Sequence, residues 1–285
     1  MVNALSLKLT LRDAFAIHVH RASMTLWGNP VVVYQMPKTG SASIAASLKA
    51  VGLKNVFHVH KLAPNDTYPF EYSRKLSKLI SEQVTDGKQI KFITCVRDPI
   101  ARNISDLFQM FKVSQKFRAQ GLSFPFTSIS AENFDNTQMT VEEIRDLFLS
   151  EYPHHDLPLF WLDKQIRENL GIDIYDYPFP RQKGYIHISE GAIDLLVLKL
   201  EADDALIESE IARFVDMPDF KLLRTNITSQ DRFSYNSLYK EFRKTASIPE
   251  EYIERMYDSR LVKHFYAEEE VESMRAMWLS HCSAA

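Results

Sequence analysis

The stretch from Val31 to Ile44, VVVYQMPKTGSASI, constrains the fold more than any other part of the chain. Val31-Val32-Val33-Tyr34 is a short, apolar, β-branched run and predicts a buried strand. Pro37 ends it, because proline has no N–H for a sheet ladder. Gly40 lets the backbone turn back closely. Ser41 and Ser43 are residue types that cap helix N-termini. Ile44, Leu48 and Val51 then recur at helical spacing up to Gly52. A strand that feeds a helix through such a loop is built to hold an anion: backbone N–H groups and the helix dipole both favour negative charge there. Lys38 adds a full positive charge. The expected ligand is a phosphate or a similar oxyanion. The Walker pattern Gly-x-x-x-x-Gly-Lys-Ser/Thr is absent, because the lysine precedes the only loop glycine.

Asn55 to His60 predicts a second short strand, whose alternation puts His58 and His60 on one face. In a parallel sheet this strand ends at the same edge as the anion loop, where open α/β sheets bind their ligands. A His-x-His pair is also half of a metal site. No further ligand at matching spacing accompanies it, so no metal is expected. Ile90 to Val96 predicts a third strand, and a second motif begins at its end: Arg97-Asp98-Pro99-Ile100-Ala101-Arg102-Asn103-Ile104-Ser105. Asp98 suits an N-cap and Pro99 the first helical position. Ile100, Ile104, Leu107, Phe108 and Phe111 form the buried stripe. Arg97 offers a planar fork of donors, and Ser105, two turns into the helix, offers a hydroxyl to the same oxyanion. The plainer reading is a cap at Asp98 and an ordinary carboxylate partner for Arg97.

Pro37 to Ser43 resembles the phosphosulfate loop of sulfotransferases that use 3′-phosphoadenosine 5′-phosphosulfate (PAPS). Its Pro-Lys-Thr-Gly form is most like that of the carbohydrate sulfotransferases. Arg-Asp-Pro followed by Arg102 and Ser105 resembles their 3′-phosphate site, and the resemblance spans residues 31 to 111. It implies a P-loop-like three-layer α/β/α fold with a central, mostly parallel sheet and a helical C-terminal part. It also implies that Lys38, Thr39, Gly40, Ser41, Ala42 and Ser43 hold the phosphosulfate, and that Arg97 and Ser105 hold the 3′-phosphate. Ala42 stands where the family often has Thr or Ser, so a hydroxyl contact is lost there and a backbone contact kept. The His-x-His is similar to one in the heparan sulfate 2-O-sulfotransferases, whose second histidine is the base. That makes His60 the expected general base, with His58 as its understudy, and Lys38 the cation that stabilises the leaving group. The order of elements after residue 150 is similar to that of bacterial capsular polysaccharide synthesis proteins. The expected reaction is sulfuryl transfer to a hydroxyl or amine of a carbohydrate, with a small alcohol, a lipid headgroup or a tyrosine as other hydroxyl-bearing acceptors left open. The alternatives are a nucleotide-dependent phosphotransferase of the P-loop kind and a non-catalytic nucleotide-binding module.

With 285 residues, 45% of them hydrophobic, the chain can build a large core. No linker demands a second domain, so residues 1–285 are expected to form one: a cofactor-binding core at 30–111, an acceptor or lid region at 112–190 and a helical part at 224–285. A net charge of -3 provides no global basic field and argues against nucleic acid as a partner. Cys95 and Cys282 make no disulfide framework. Cys95 lies in a strand pattern and is expected to be a buried thiol. The apolar runs are too short for a membrane span. A complete chain is expected in the cytoplasm, and one relieved of an N-terminal anchor in the Golgi lumen. Helices are predicted around Leu11–Val19, Pro69–Val84, Val141–Phe148, Leu159–Leu170 and Asp203–Val215. Tyr185–Ile188 and Ile193–Leu200 are predicted to pair across a turn at Ser189–Gly191. Phe117, Phe124, Phe126 and Phe134 are read as part of a lid, and Arg181 and Lys183 as solvated charges.

Overall fold

The computed structural model describes residues 29–62, 71–119, 139–223 and 235–280. The predicted helix around Leu11–Val19, Pro69, the side chain of Phe117, the other three lid phenylalanines and Cys282 lie outside the described residues. The chain divides into two compact units, Met1–Val96 with Trp161–Thr225 and Arg97–Phe160 with Asn226–Ala285.

The first unit is built on a five-stranded sheet. Its strands are β1 (Val31–Tyr34), β2 (Val56–Val59), β3 (Ile90–Val96), β4 (Tyr185–Glu190) and β5 (Ile193–Lys199), in the order β2-β1-β3-β5-β4. All neighbours run parallel except β4, which pairs antiparallel with β5. Every residue of β1 is buried, which is why its sequence is uniformly apolar rather than alternating. The predicted turn at Ser189–Gly191 shifts by about one residue. Ser189 and Glu190 stay in the ladder opposite Asp194 and Ile193, and the Ser189 hydroxyl donates to Asp194 Oδ1 at 2.5 Å.

Helix α1 (Ser41–Ala50) connects β1 to β2, and α2 (Glu71–Thr85) precedes β3. On one face of the sheet Val31, Val33, Ile93, Cys95, Leu196 and Leu198 form a core with the apolar stripes of α1 and of a later helix. Burial pushes the Cys95 thiol well above its usual range. The other face presents Tyr34, whose ring lies 6.3 Å from Phe92 and 5.3 Å from Trp161. Trp161 closes a short helix that runs on as a π-helical turn, Leu162–Arg167. Helices on one face, the sheet, and helical segments on the other make the three layers. The chain leaves β1 on one side for β2 and returns past it to β3. The switch point therefore lies between β1 and β3, and their C-terminal ends form the edge where such sheets take ligands.

The second unit is helical. Its spine is α3 (Pro99–Ala119), where Ile100, Ile104, Leu107, Phe108 and Phe111 are all buried as predicted. Asp98 caps it, accepting the N–H of Ile100 at 2.9 Å. Helix α4 (Val141–Glu151) starts with a capping box between Thr140 and Glu143. The short helix ending at Trp161 is α5 (Leu157–Trp161), and the later helix of the first unit is α6 (Asp204–Val215). Among the described residues the second unit has four further helices: α7 (Tyr235–Thr245), α8 (Glu250–Tyr257), α9 (Arg260–Phe265) and α10 (Glu268–Leu279). Phe108 meets Tyr239 and Phe242 edge-on, and Trp278 is fully buried.

Candidate functional site

The loop after β1 carries two left-handed residues, Lys38 at φ 72° and Gly40 at φ 86°. Gly40 requires glycine twice over. Its φ disfavours any side chain, and a Cβ there would lie 3.0 Å from a methyl of Leu200. A left-handed lysine is the rarer observation, because its Cβ is strained in that region. The loop is braced from within. Thr39 is fully buried and donates its hydroxyl to the Met36 carbonyl at 2.6 Å. The Gln35 side-chain amide donates to the Thr39 carbonyl at 3.2 Å. The single hydroxyl proton of Thr39 is thus used inside the loop, which leaves its backbone as the part able to donate to an oxyanion. Ser41 and Ser43 do not cap α1 as expected. The left-handed Gly40 takes the N-cap position without a side-chain bond, Ser41 becomes the first helical residue, and Ser43 lies within the first turn.

His58 lies on β2, and His60 immediately follows it; their rings meet edge-on with centroids 4.8 Å apart. Burial, then the His60 and Lys49 charges, push His58 down to about 4. Its Nε2 has no hydrogen-bond partner among the described residues. His60 is held differently. Its Nδ1 is 2.8 Å from the carbonyl of Gln35, the first residue after β1. A carbonyl only accepts, so Nδ1 carries the proton and the basic lone pair of the neutral ring is on Nε2. The loop and the candidate base are therefore tied through one residue, Gln35.

A second anchor comes from far along the chain. Trp161 Nε1 donates to the His60 carbonyl at 3.0 Å. Four residues later Gln165 Oε1 accepts both the Leu62 N–H at 2.9 Å and the buried Tyr34 hydroxyl at 2.7 Å. The Tyr34 hydroxyl also lies 3.0 Å from the Gln165 carbonyl. Gln165 sits in the π-helical turn, a distortion often found at functional sites. Gln35, Trp161 and Gln165 have no local signature as site residues, and sequence reasoning passed over them in these roles.

Lys38 to Ser43, His58 and His60 all belong to the first unit. Arg97 and Ser105 belong to the second. Arg97 is half-buried and directly precedes the cap Asp98, whose carboxylate also accepts from the Tyr257 hydroxyl at 3.3 Å. Ser105 is buried on α3. Arg181 and Lys183 are exposed, but Lys183 stacks 4.0 Å over the Tyr185 ring rather than standing free in water. Lys199, a buried cation at the end of β5, donates to the Arg181 carbonyl at 2.9 Å and ties that loop to the sheet edge. Among the described residues no three His, Cys, Asp or Glu side chains gather as a metal site, and no helix is long and apolar enough to cross a membrane.

No curated protein and no solved structure matches the chain. Residues 137–267, just under half of the chain, match a family model described as "Putative capsular polysaccharide synthesis protein". That span holds α4, the π-helical turn, β4, β5 and the helices up to α9; the anion loop, the histidine pair, Arg97 and Ser105 precede it. This chain is thus similar to capsular polysaccharide synthesis proteins over its second half, and its candidate oxyanion site lies in the first.

Proposed function

We propose that the protein is a PAPS-dependent sulfotransferase acting on a hydroxyl or amine of a carbohydrate. The observation that carries this reading is the join between loop and base. A left-handed, lysine-bearing anion loop at the switch point of a parallel sheet is bonded through Gln35 to a histidine whose Nε2 lone pair is basic. The similarity of residues 137–267 to capsular polysaccharide synthesis proteins supports a sugar polymer as the acceptor class.

The strained, braced loop fits a tetrahedral oxyanion, because it places a cation and a helix N-terminus together. Residues 38–43 would hold the phosphosulfate, and Arg97 and Ser105 the 3′-phosphate. When bound, the nucleotide supplies the sulfuryl group and a phosphate oxygen as leaving group. Lys38 neutralises the negative charge that builds at that oxygen, and losing such a donor typically costs ~10²- to 10³-fold in rate. His60 takes the acceptor proton at Nε2 while the Gln35 carbonyl fixes its ring, a contribution of ~10²- to 10⁴-fold. His58 is the poorer base, since burial leaves it neutral and weakly basic near pH 7.

Titration calorimetry tests the reading. Adenosine 3′,5′-bisphosphate is expected to bind the full chain without magnesium, and Arg97→Ala to lose that binding. Binding of magnesium-ATP alone overturns the proposal in favour of a phosphotransferase. Tight bisphosphate binding with no transfer from PAPS to any sugar acceptor leaves a nucleotide-binding module without chemistry.

A further inference from the structure

The second unit holds a polar cluster that the nucleotide reading does not use. Arg102 of α3 is completely buried. Its Nη1 donates to the Tyr152 hydroxyl at 2.9 Å, and its Nη2 lies 3.2 Å from Asp106 Oδ2, one turn along the helix. Tyr152 passes its own proton to that same oxygen at 2.8 Å. Burial opposes ionisation of Asp106, yet Arg102, with hydrogen bonds from His154 and Tyr152, holds its carboxyl down to about 2. Arg102 and Tyr152 both serve the same oxygen, Oδ2.

A third donor nevertheless arrives. His154 Nδ1 is 3.0 Å from Asp106 Oδ2, although 42% of the His154 side chain is exposed and water was available to it. The neighbouring His155 shows what a structural histidine looks like in this turn. Asn103 donates to the Tyr252 hydroxyl at 3.0 Å, and that hydroxyl lies 2.9 Å from His155 Nδ1. The His155 ring packs edge-on against Phe148, and burial lowers its pKa. His154 donates from Nδ1 to a carboxylate and presents an Nε2 lone pair with no partner among the described residues. Asp156, two residues on, is engaged by Arg255 of α8.

We propose that His154, oriented by Asp106, is a second acid–base centre, which accepts the proton of a hydroxyl or amine nucleophile presented to this unit. The O–H or N–H bond breaks, its electron pair stays on the nucleophile, and a new N–H bond forms at Nε2. Arg102 and Tyr152 keep Asp106 charged, so the proton stays on the imidazole and the carboxylate balances the imidazolium. None of this involves the anion loop, and the proposal stands or falls apart from the nucleotide reading.

The test is acylation of the full chain by diethyl pyrocarbonate near neutral pH, with adducts mapped by peptide mass spectrometry. His187 is the internal control. It is 51% exposed and its Nε2 is 3.9 Å from Asp194, too far for a hydrogen bond. His154 is less exposed, yet is expected to react about tenfold faster, the equivalent of one hydrogen bond to a charged group. Asp106→Asn is expected to bring His154 back to the His187 rate. Equal rates for the two histidines in the wild type overturn the proposal. Because Asp106→Asn disturbs a buried pair, long-range ¹H–¹⁵N spectra of the wild-type imidazoles provide a second reading. His154 is expected as the Nδ1–H tautomer, and an Nε2–H tautomer overturns the proposal independently of any variant.

Discussion

At Lys38 a single backbone angle sets the residue apart from an ordinary turn position. At φ 72° an L-residue gives up about 1–2 kcal/mol. Asn or Gly relieves that strain at an ordinary turn, and strain that persists in a candidate anion loop points to use. Lys38→Gly is expected to raise stability by about 1 kcal/mol in urea unfolding. Under the proposed function the same variant is expected to abolish sulfuryl transfer, and a variant that is both stabilised and fully active would show the lysine to be idle. His58 makes a second residue-scale prediction. Its folded value is about 4 against an ordinary imidazole value of 6.5. Between those two values the unfolded chain binds the extra proton and the native chain does not. Stability therefore falls as pH drops through that window, is free of this effect above it, and stays lowered by the full amount below it. The ring is only partly buried, and solvent screening reduces the effect to on the order of 1–2 kcal/mol. His58→Gln is expected to flatten this acid limb, as followed by denaturant midpoints between pH 7 and pH 4. An unchanged limb would show that His58 titrates alike in both states.

At the scale of elements, the π-helical turn is the piece that holds the site from outside. Gln165 Oε1 accepts two donors from two different strand ends, the Tyr34 hydroxyl and the Leu62 N–H. Gln165→Leu keeps most of the volume but strands the Leu62 N–H and weakens the Tyr34 contact, for an expected loss of about 1–3 kcal/mol. Hydrogen exchange should locate the effect, with the Leu62 amide losing protection while β3 keeps its own; unchanged exchange at Leu62 would place the clamp elsewhere. This element also marks where sequence reading stops. β3 was legible to the residue, because Ile90–Val96 is an apolar run bounded by a turn and by Arg-Asp-Pro. The cap at Asp98 was legible because capping is local chemistry. The start of α1 was not, since a left-handed Gly40 moves the cap one residue ahead of the serines. The anchors of His60 were not either: Trp161 lies 101 residues away, and nothing near it in sequence distinguishes a core tryptophan from one bonded to a histidine carbonyl.

At the scale of the whole molecule, the interleaving of the two units matters most. The first is made from residues before Arg97 and from Trp161–Thr225, and the second from the two segments that alternate with them. Neither unit is a continuous stretch, so neither completes its core until a later segment of chain returns to it. β5, beside β3 in the sheet, comes only after α3 and α4 have left the first unit. Loop closure of this kind couples the units through the chain itself. The expectation is a single cooperative transition rather than two. Native-state hydrogen exchange in sub-denaturing urea is the direct measurement. The slowest amides of β3, which report the first unit, and those of α3 around Ile104 and Phe108, which report the second, are expected to open with the same free energy and the same urea dependence. Cys95, buried in the sheet core, supplies an independent check in a Cys282→Ser background: its alkylation should follow the same opening. If β3 and α3 opened with different slopes, each unit would be stable alone, and residues 97–160 would behave as part of a domain in their own right rather than as the middle of one.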